Sequence, residues 1–114
     1  MKHEIKKISK IVDEIITYFV YELECSTLEL RYEASETACV LDFSFHGIEL
    51  SRDGFTQLRR ELRGDRQPEL EDYYWQLMGN TEENGALALV SMMVDNAELK
   101  YEGDTIRLSL RRNW

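Results

Sequence analysis

The chain has 114 residues, 43% hydrophobic and 32% charged, a length for one domain and a composition that excludes disordered and fibrous proteins. Its 22 acidic residues against 14 basic ones give a formal net charge of −8, which excludes a nucleic acid as the default partner. No run nears the roughly 18 apolar residues of a membrane span, and the charges in "MKHEIKKISKIVDEII" exclude a signal peptide, so a cytoplasmic protein without a membrane partner is expected.

The first element is helical. Ile5, Ile8, Val12, Ile15, Ile16, Phe19 and Leu23 recur at steps of three and four, which predicts a helix over 4–23. Glu4, Lys7, Lys10, Asp13 and Glu14 fall mostly on its other side and read as solvated. Two strands follow. In "LELRYE", Leu28, Leu30 and Tyr32 alternate with Glu29, Arg31 and Glu33. In "ACVLDFSF", Cys39, Leu41, Phe43 and Phe45 share one face, and "ASET" is the turn of a hairpin. Ser51 is a plausible N-cap for a helix carrying Phe55, Leu58 and Leu62, and Gly64 suits its C-terminal end. Pro68 suits the first turn of a further helix with Leu70, Tyr73, Tyr74, Leu77 and Met78 on its apolar face. A helix over about 82–95 is apolar on most sides, and "LKYE" and "TIRLSLR" close the chain as a hairpin around "GD".

This order of helix, two strands, helices and two strands predicts an α+β fold. The expected form is a two-layer sandwich, with a mixed or antiparallel sheet of about four strands and helices packed on one face. The core should hold Leu28, Leu30, Leu41, Phe43, Phe45, Leu87, Val90, Ile106 and Leu108. Residues 1–114 read as one complete domain, without repeats or linkers. Cys25 and Cys39 have no metal or redox spacing and read as free thiols, and two scattered histidines, His3 and His46, make no metal set. The basic clusters Lys6, Lys7 and Lys10, and "RRELRGDR" from Arg59 to Arg66, lie among acids and read as solvated helix faces.

The closing stretch "GALALVSMMVDNAELKY", with "LALV" at Leu87 to Val90, resembles the last glycine box and helix of the histidine kinase, Hsp90, gyrase B and MutL ATPase superfamily (the Bergerat fold). The element order resembles that superfamily over nearly the whole chain, which implies a histidine-kinase-like ATPase-domain topology. The resemblance implies a water-activating Glu and a Mg²⁺-holding Asn on the first helix, an adenine-reading Asp-x-Gly after the second strand, and a glycine-rich phosphate loop. Glu14 falls at the first of these, but Tyr18 stands at the Asn, Phe45 at the Asp beside a matching Gly47, and only Gly85 remains of the loop. A phenyl ring cannot accept the adenine hydrogen bond. Residues 67–99 carry seven acids and no Lys or Arg, a poor setting for a triphosphate of about four negative charges.

The expected function is therefore a non-catalytic protein-interaction or regulatory module with a degenerate ATPase-like fold, in bacterial-type signalling. No cofactor, metal or enzymatic activity is expected, and the partner is another protein or a second copy. Candidate partner surfaces are the charged sheet face, with Arg31, Arg107 and Arg111, and the helix with Tyr73, Tyr74 and Trp75. Two alternatives stay open: a divergent nucleotide-binding regulator resembling anti-sigma-factor kinases, and an unrelated small α+β dimer.

Overall fold

A computed structural model describes residues 2–69, 71 and 86–114. The described elements are α1 (Lys2–Thr17), β1 (Thr27–Ala34), β2 (Ala38–His46), α2 (Arg52–Glu61), α3 (Ala86–Ser91), β3 (Asn96–Glu102) and β4 (Thr105–Asn113). Helical backbone also begins at Pro68, where a missing N–H costs nothing. The helix expected around Tyr73, Tyr74 and Trp75, and the loop glycine Gly85, lie outside the described residues.

The four strands form one sheet in the order β1-β2-β4-β3, and every pair is antiparallel. The α+β class and a sheet of about four strands hold. Both hairpins form where the turn residues stand, and the wider β2–β4 pairing joins them, with Phe43 opposite Leu108 and Phe45 opposite Ile106. Period-two alternation then puts Leu41, Phe43, Phe45, Ile106, Leu108 and Leu110 on the helix side, each at most 2% exposed. Ile8, Ile11 and Ile15 of α1, Phe19 just beyond its end, Leu58 of α2, and Leu87 and Val90 of α3 close the core over them. Phe19 stacks on Phe45 with ring centroids 4.0 Å apart, and Phe43 follows at 5.5 Å.

The first helix is shorter than its apolar period. After Thr17 the chain widens into a π-helical turn, Tyr18–Glu22, in which Leu23 N donates to Tyr18 O at 3.2 Å. Glu24, at φ +54°, then reverses the chain into β1. α2 starts as its N-cap predicts, with Gly54 N donating to Ser51 Oγ at 3.0 Å. Gly64 has a different role from the C-cap expected. A Cβ there would stand 2.3 Å from Ser91 Oγ, so the glycine lets the chain beyond α2 pass against α3.

The burial expected of four residues, Leu30, Leu28, Lys7 and Glu14, is corrected. Leu30 was expected in the core, yet it is 39% exposed and its neighbour Tyr32 is 52% exposed. Both occupy the helix-side face, opposite Phe43 and Leu41, but β1 is an edge strand and the described helices leave these two side chains uncovered. Leu28 is only partly buried for the same reason. Lys7 and Glu14 were read as solvated, yet they are 9% and 5% exposed. They lie seven residues apart, on one flank of α1, and α1 packs against α3 as well as on the sheet, so more of its circumference is covered than the apolar stripe indicates.

Candidate functional site

Three places could carry function: the positions matched to a nucleotide pocket, the open face of the sheet, and a buried cluster of charges at one end of the sheet.

Of the pocket positions, Phe45 is fully buried and clamped between Phe19 and Phe43. Its ring is part of the core. Tyr18 meets the edge of Phe19 at 5.4 Å and is partly buried. Burial, with Glu61 and Glu22 nearby, pushes its hydroxyl above the usual tyrosine range, so it stays neutral at physiological pH. Glu14 lies on the same helix flank, buried. Gly47 adopts φ +77°, and a Cβ there would stand 2.4 Å from Ser26 Oγ. The turn after β2 therefore demands glycine on backbone grounds alone. Phe45, Tyr18 and Glu14 all belong to the packed interior and its margin.

The open face of the sheet carries the outward half of every strand. Across its middle run Arg31, Asp42, Ser109 and Glu98 in one row, and Glu29, Ser44, Arg107 and Lys100 in the next. A shallow concavity of about 340 Å³ lies over Asp42, Ser44, Arg107, Lys100 and Glu98. Arg31 pairs with Glu33 at 3.1 Å, and both side chains are largely exposed. His46 bridges Thr105 Oγ1 at 3.0 Å and Glu29 Oε1 at 3.1 Å. Of the partner residues expected from sequence, the sheet thus brings Arg31, Arg107 and Arg111 to one face, with Arg111 one row farther along, opposite Val40 and Asn96.

The buried cluster centres on Glu71 and Arg112, 3% and 2% exposed. Arg112 donates to both Glu71 oxygens at 2.9 and 3.0 Å, to Met93 O at 2.7 Å and to Glu4 at 2.7 and 3.1 Å. Lys7 reaches Glu71 at 3.3 Å. Arg66 donates to Glu71 at 2.8 Å, to Asp95 at 2.6 Å and to Asn113 O at 2.7 Å. Burial alone would raise the Glu71 carboxyl, but the hydrogen bonds from Arg112 and Arg66 outweigh it and hold it at about 2. Sequence reasoning did not single out Arg112 or Glu71, and it read Lys7 and Arg66 as solvated. One signal was available. Arg112 continues the inward phase of Ile106, Leu108 and Leu110, so its side chain points to the core side and requires a buried anion.

Cys25 and Cys39 are both free, and burial raises both thiols, so neither is poised as a thiolate. Among the described residues no group of three His, Cys, Asp or Glu is placed to hold a metal ion. Nor is any described helix long and apolar enough to cross a membrane. Comparison of the chain with protein-family models, with curated proteins and with solved structures gives no match.

Proposed function

We propose that this domain is a non-catalytic interaction module in a signalling pathway, built on a degenerate form of the histidine-kinase-like ATPase fold. One observation carries the reading. The residue matched to the adenine-reading Asp is Phe45, fully buried and stacked at 4.0 Å on Phe19. A side chain committed to the core in this way cannot accept from an adenine amino group. An unmet donor of that kind costs ~1–3 kcal/mol on binding. The neutral, partly buried Tyr18 is a poor ligand for a hard cation, which supports the same reading. The charged open sheet face, with Arg31 and Arg107 among acids, is the surface offered to a partner protein.

The test is a thermal melt at millimolar ATP and Mg²⁺, beside an ATP-free control and a calorimetric titration. The expected outcome is no shift and no saturable heat. A ligand at a hundred times its dissociation constant would add about 2.7 kcal/mol and raise melting by several degrees. Such a rise, with saturable heat, would overturn the reading in favour of a nucleotide-binding regulator.

A further inference from the structure

The two sheet edges are finished differently. On β3, Leu99 and Tyr101 pack against the core, and the Tyr101 hydroxyl donates to Ile48 O at 2.9 Å and accepts from Leu50 N at 3.0 Å. On β1 the corresponding face is bare: Leu30 and Tyr32 stand exposed beside buried Phe43 and Leu41. By helical spacing, exposed Ile5 and partly buried Val12 and Ile16 share the flank of α1 away from Lys7 and Glu14. Apart from the outward charges Glu29, Arg31 and Glu33, the devices that blunt an edge strand are missing from β1. It is eight residues long, has no proline or lysine, and pairs with β2 without a bulge from Thr27 to Ala34.

We infer that β1 is a self-association edge: two copies of this chain pair β1 with β1 in antiparallel fashion about a two-fold axis at Leu30, making one eight-stranded sheet. Three observations choose this occupant and this register. The first is backbone parity. Ser35 N donates to Ala38 O at 2.8 Å in phase with the β1–β2 ladder, so odd-numbered β1 residues turn their N–H and C=O toward β2. The even-numbered ones, Leu28, Leu30 and Tyr32, therefore present theirs to the free edge, where a second β1 can complete them.

The second observation is charge. With Leu30 opposite its copy, Glu29 of one chain lies opposite Arg31 of the other, twice by symmetry. Registers centred one residue to either side put Glu29 opposite Glu29, or Arg31 opposite Arg31 and Glu29 opposite Glu33. A register centred on Tyr32 pairs Arg31 with Glu33 but shortens the ladder to residues 30–34. The third is the apolar face. The Leu30 register also lays Leu28 against the partner's Tyr32, and it brings the bare helix-side faces of both β1 strands together. The inference holds whatever the ancestry of the fold, since it uses only this edge and its sequence.

The experiment measures mass by light scattering and sedimentation on the full chain over a dilution series. A species of twice the 13.5 kDa chain mass is expected at high-micromolar concentration. Glu29→Arg and Arg31→Glu alone each place like charges opposite one another and should weaken the dimer by about tenfold or more. The double swap restores the pairs and should restore the dimer. Circular dichroism of each variant reports its fold, and the double variant carries both substitutions, so rescue separates lost pairing from lost folding. A chain that is monomeric throughout would overturn the inference. So would a dimer indifferent to both single reversals, or one that the double swap fails to restore, since its interface would lie elsewhere.

Discussion

Phe43 and Arg112 show two ways in which one residue holds this molecule. Phe43 is 1% exposed, stacked beside Phe45 and paired across the strands with buried Leu108. Phe43→Ala removes that burial and leaves a cavity, and should cost about 3–5 kcal/mol, read as a lower denaturant midpoint. A midpoint equal to the parent's would contradict its place in the core. Arg112 is equally buried but earns its place through hydrogen bonds to Glu71, Glu4 and Met93 O. Arg112→Met keeps much of the volume but takes the donor from Glu4 and Met93 O and leaves Glu71 with only Arg66 and Lys7. The expected loss is about 1.5–3 kcal/mol, the usual range for hydrogen bonds to charged groups. Phe43 was legible in the sequence because its alternation is local. The role of Arg112 depends on Glu71, 41 residues away in the chain, and no local pattern connects them.

At the scale of elements, the contact between the chain after α2 and the end of α3 depends on one missing side chain. Gly64 passes Ser91 so closely that a Cβ would stand 2.3 Å from the hydroxyl oxygen and 3.1 Å from the Ser91 Cβ. That hydroxyl is held in place by its bond to Ala88 O at 2.7 Å. Gly64→Ala should therefore destabilise the fold by about 1–3 kcal/mol through overpacking. Ser91→Ala removes the nearer of the two clashing atoms, so the double variant should recover part of the loss. Denaturant melts of the two single variants and the double variant measure the coupling, and simple additivity would contradict the contact. The N-cap of α2 is a local feature by contrast. Ser51→Ala should cost about 1 kcal/mol, as an exposed cap usually does.

Across the whole molecule, the cluster around Glu71 ties α1, the segment before α3 and β4 into one unit, through Glu4, Lys7, Arg66 and Arg112. Its charge state makes global stability depend on acid. The Glu71 carboxyl lies at about 2 in the fold against 4.5 for an unpaired group, a depressed value. Its stabilisation is therefore complete above about pH 4.5 and is lost as pH falls through that value towards about 2. The contribution is on the order of 3 kcal/mol at neutral pH. Denaturant midpoints should fall between neutral pH and about pH 3, and Glu71→Gln should start lower and lose less over the same interval. An equal acid loss in Glu71→Gln would place the acid sensitivity in other carboxylates.

Several features follow from the sequence by itself because they are set by neighbours in the chain. The alternation in β2 and β4 selects which side chains are buried, the turn residues place both hairpins, and Ser51 starts α2. These depend on side-chain direction along one element and on bonds a few residues long. The tertiary structure alone decided the rest. It made β1 the uncovered edge, so that Leu30 and Tyr32, patterned like core residues, stand in solvent. It also buried Lys7, Glu14, Arg66 and Arg112 in whole or part, although their residue types read as surface. The physical reason is the same in each case. A periodic pattern shows which side of an element is apolar, but strand order and the reach of the helix layer decide which sides are covered, and a charged group can be buried once distant parts of the chain bring it a partner.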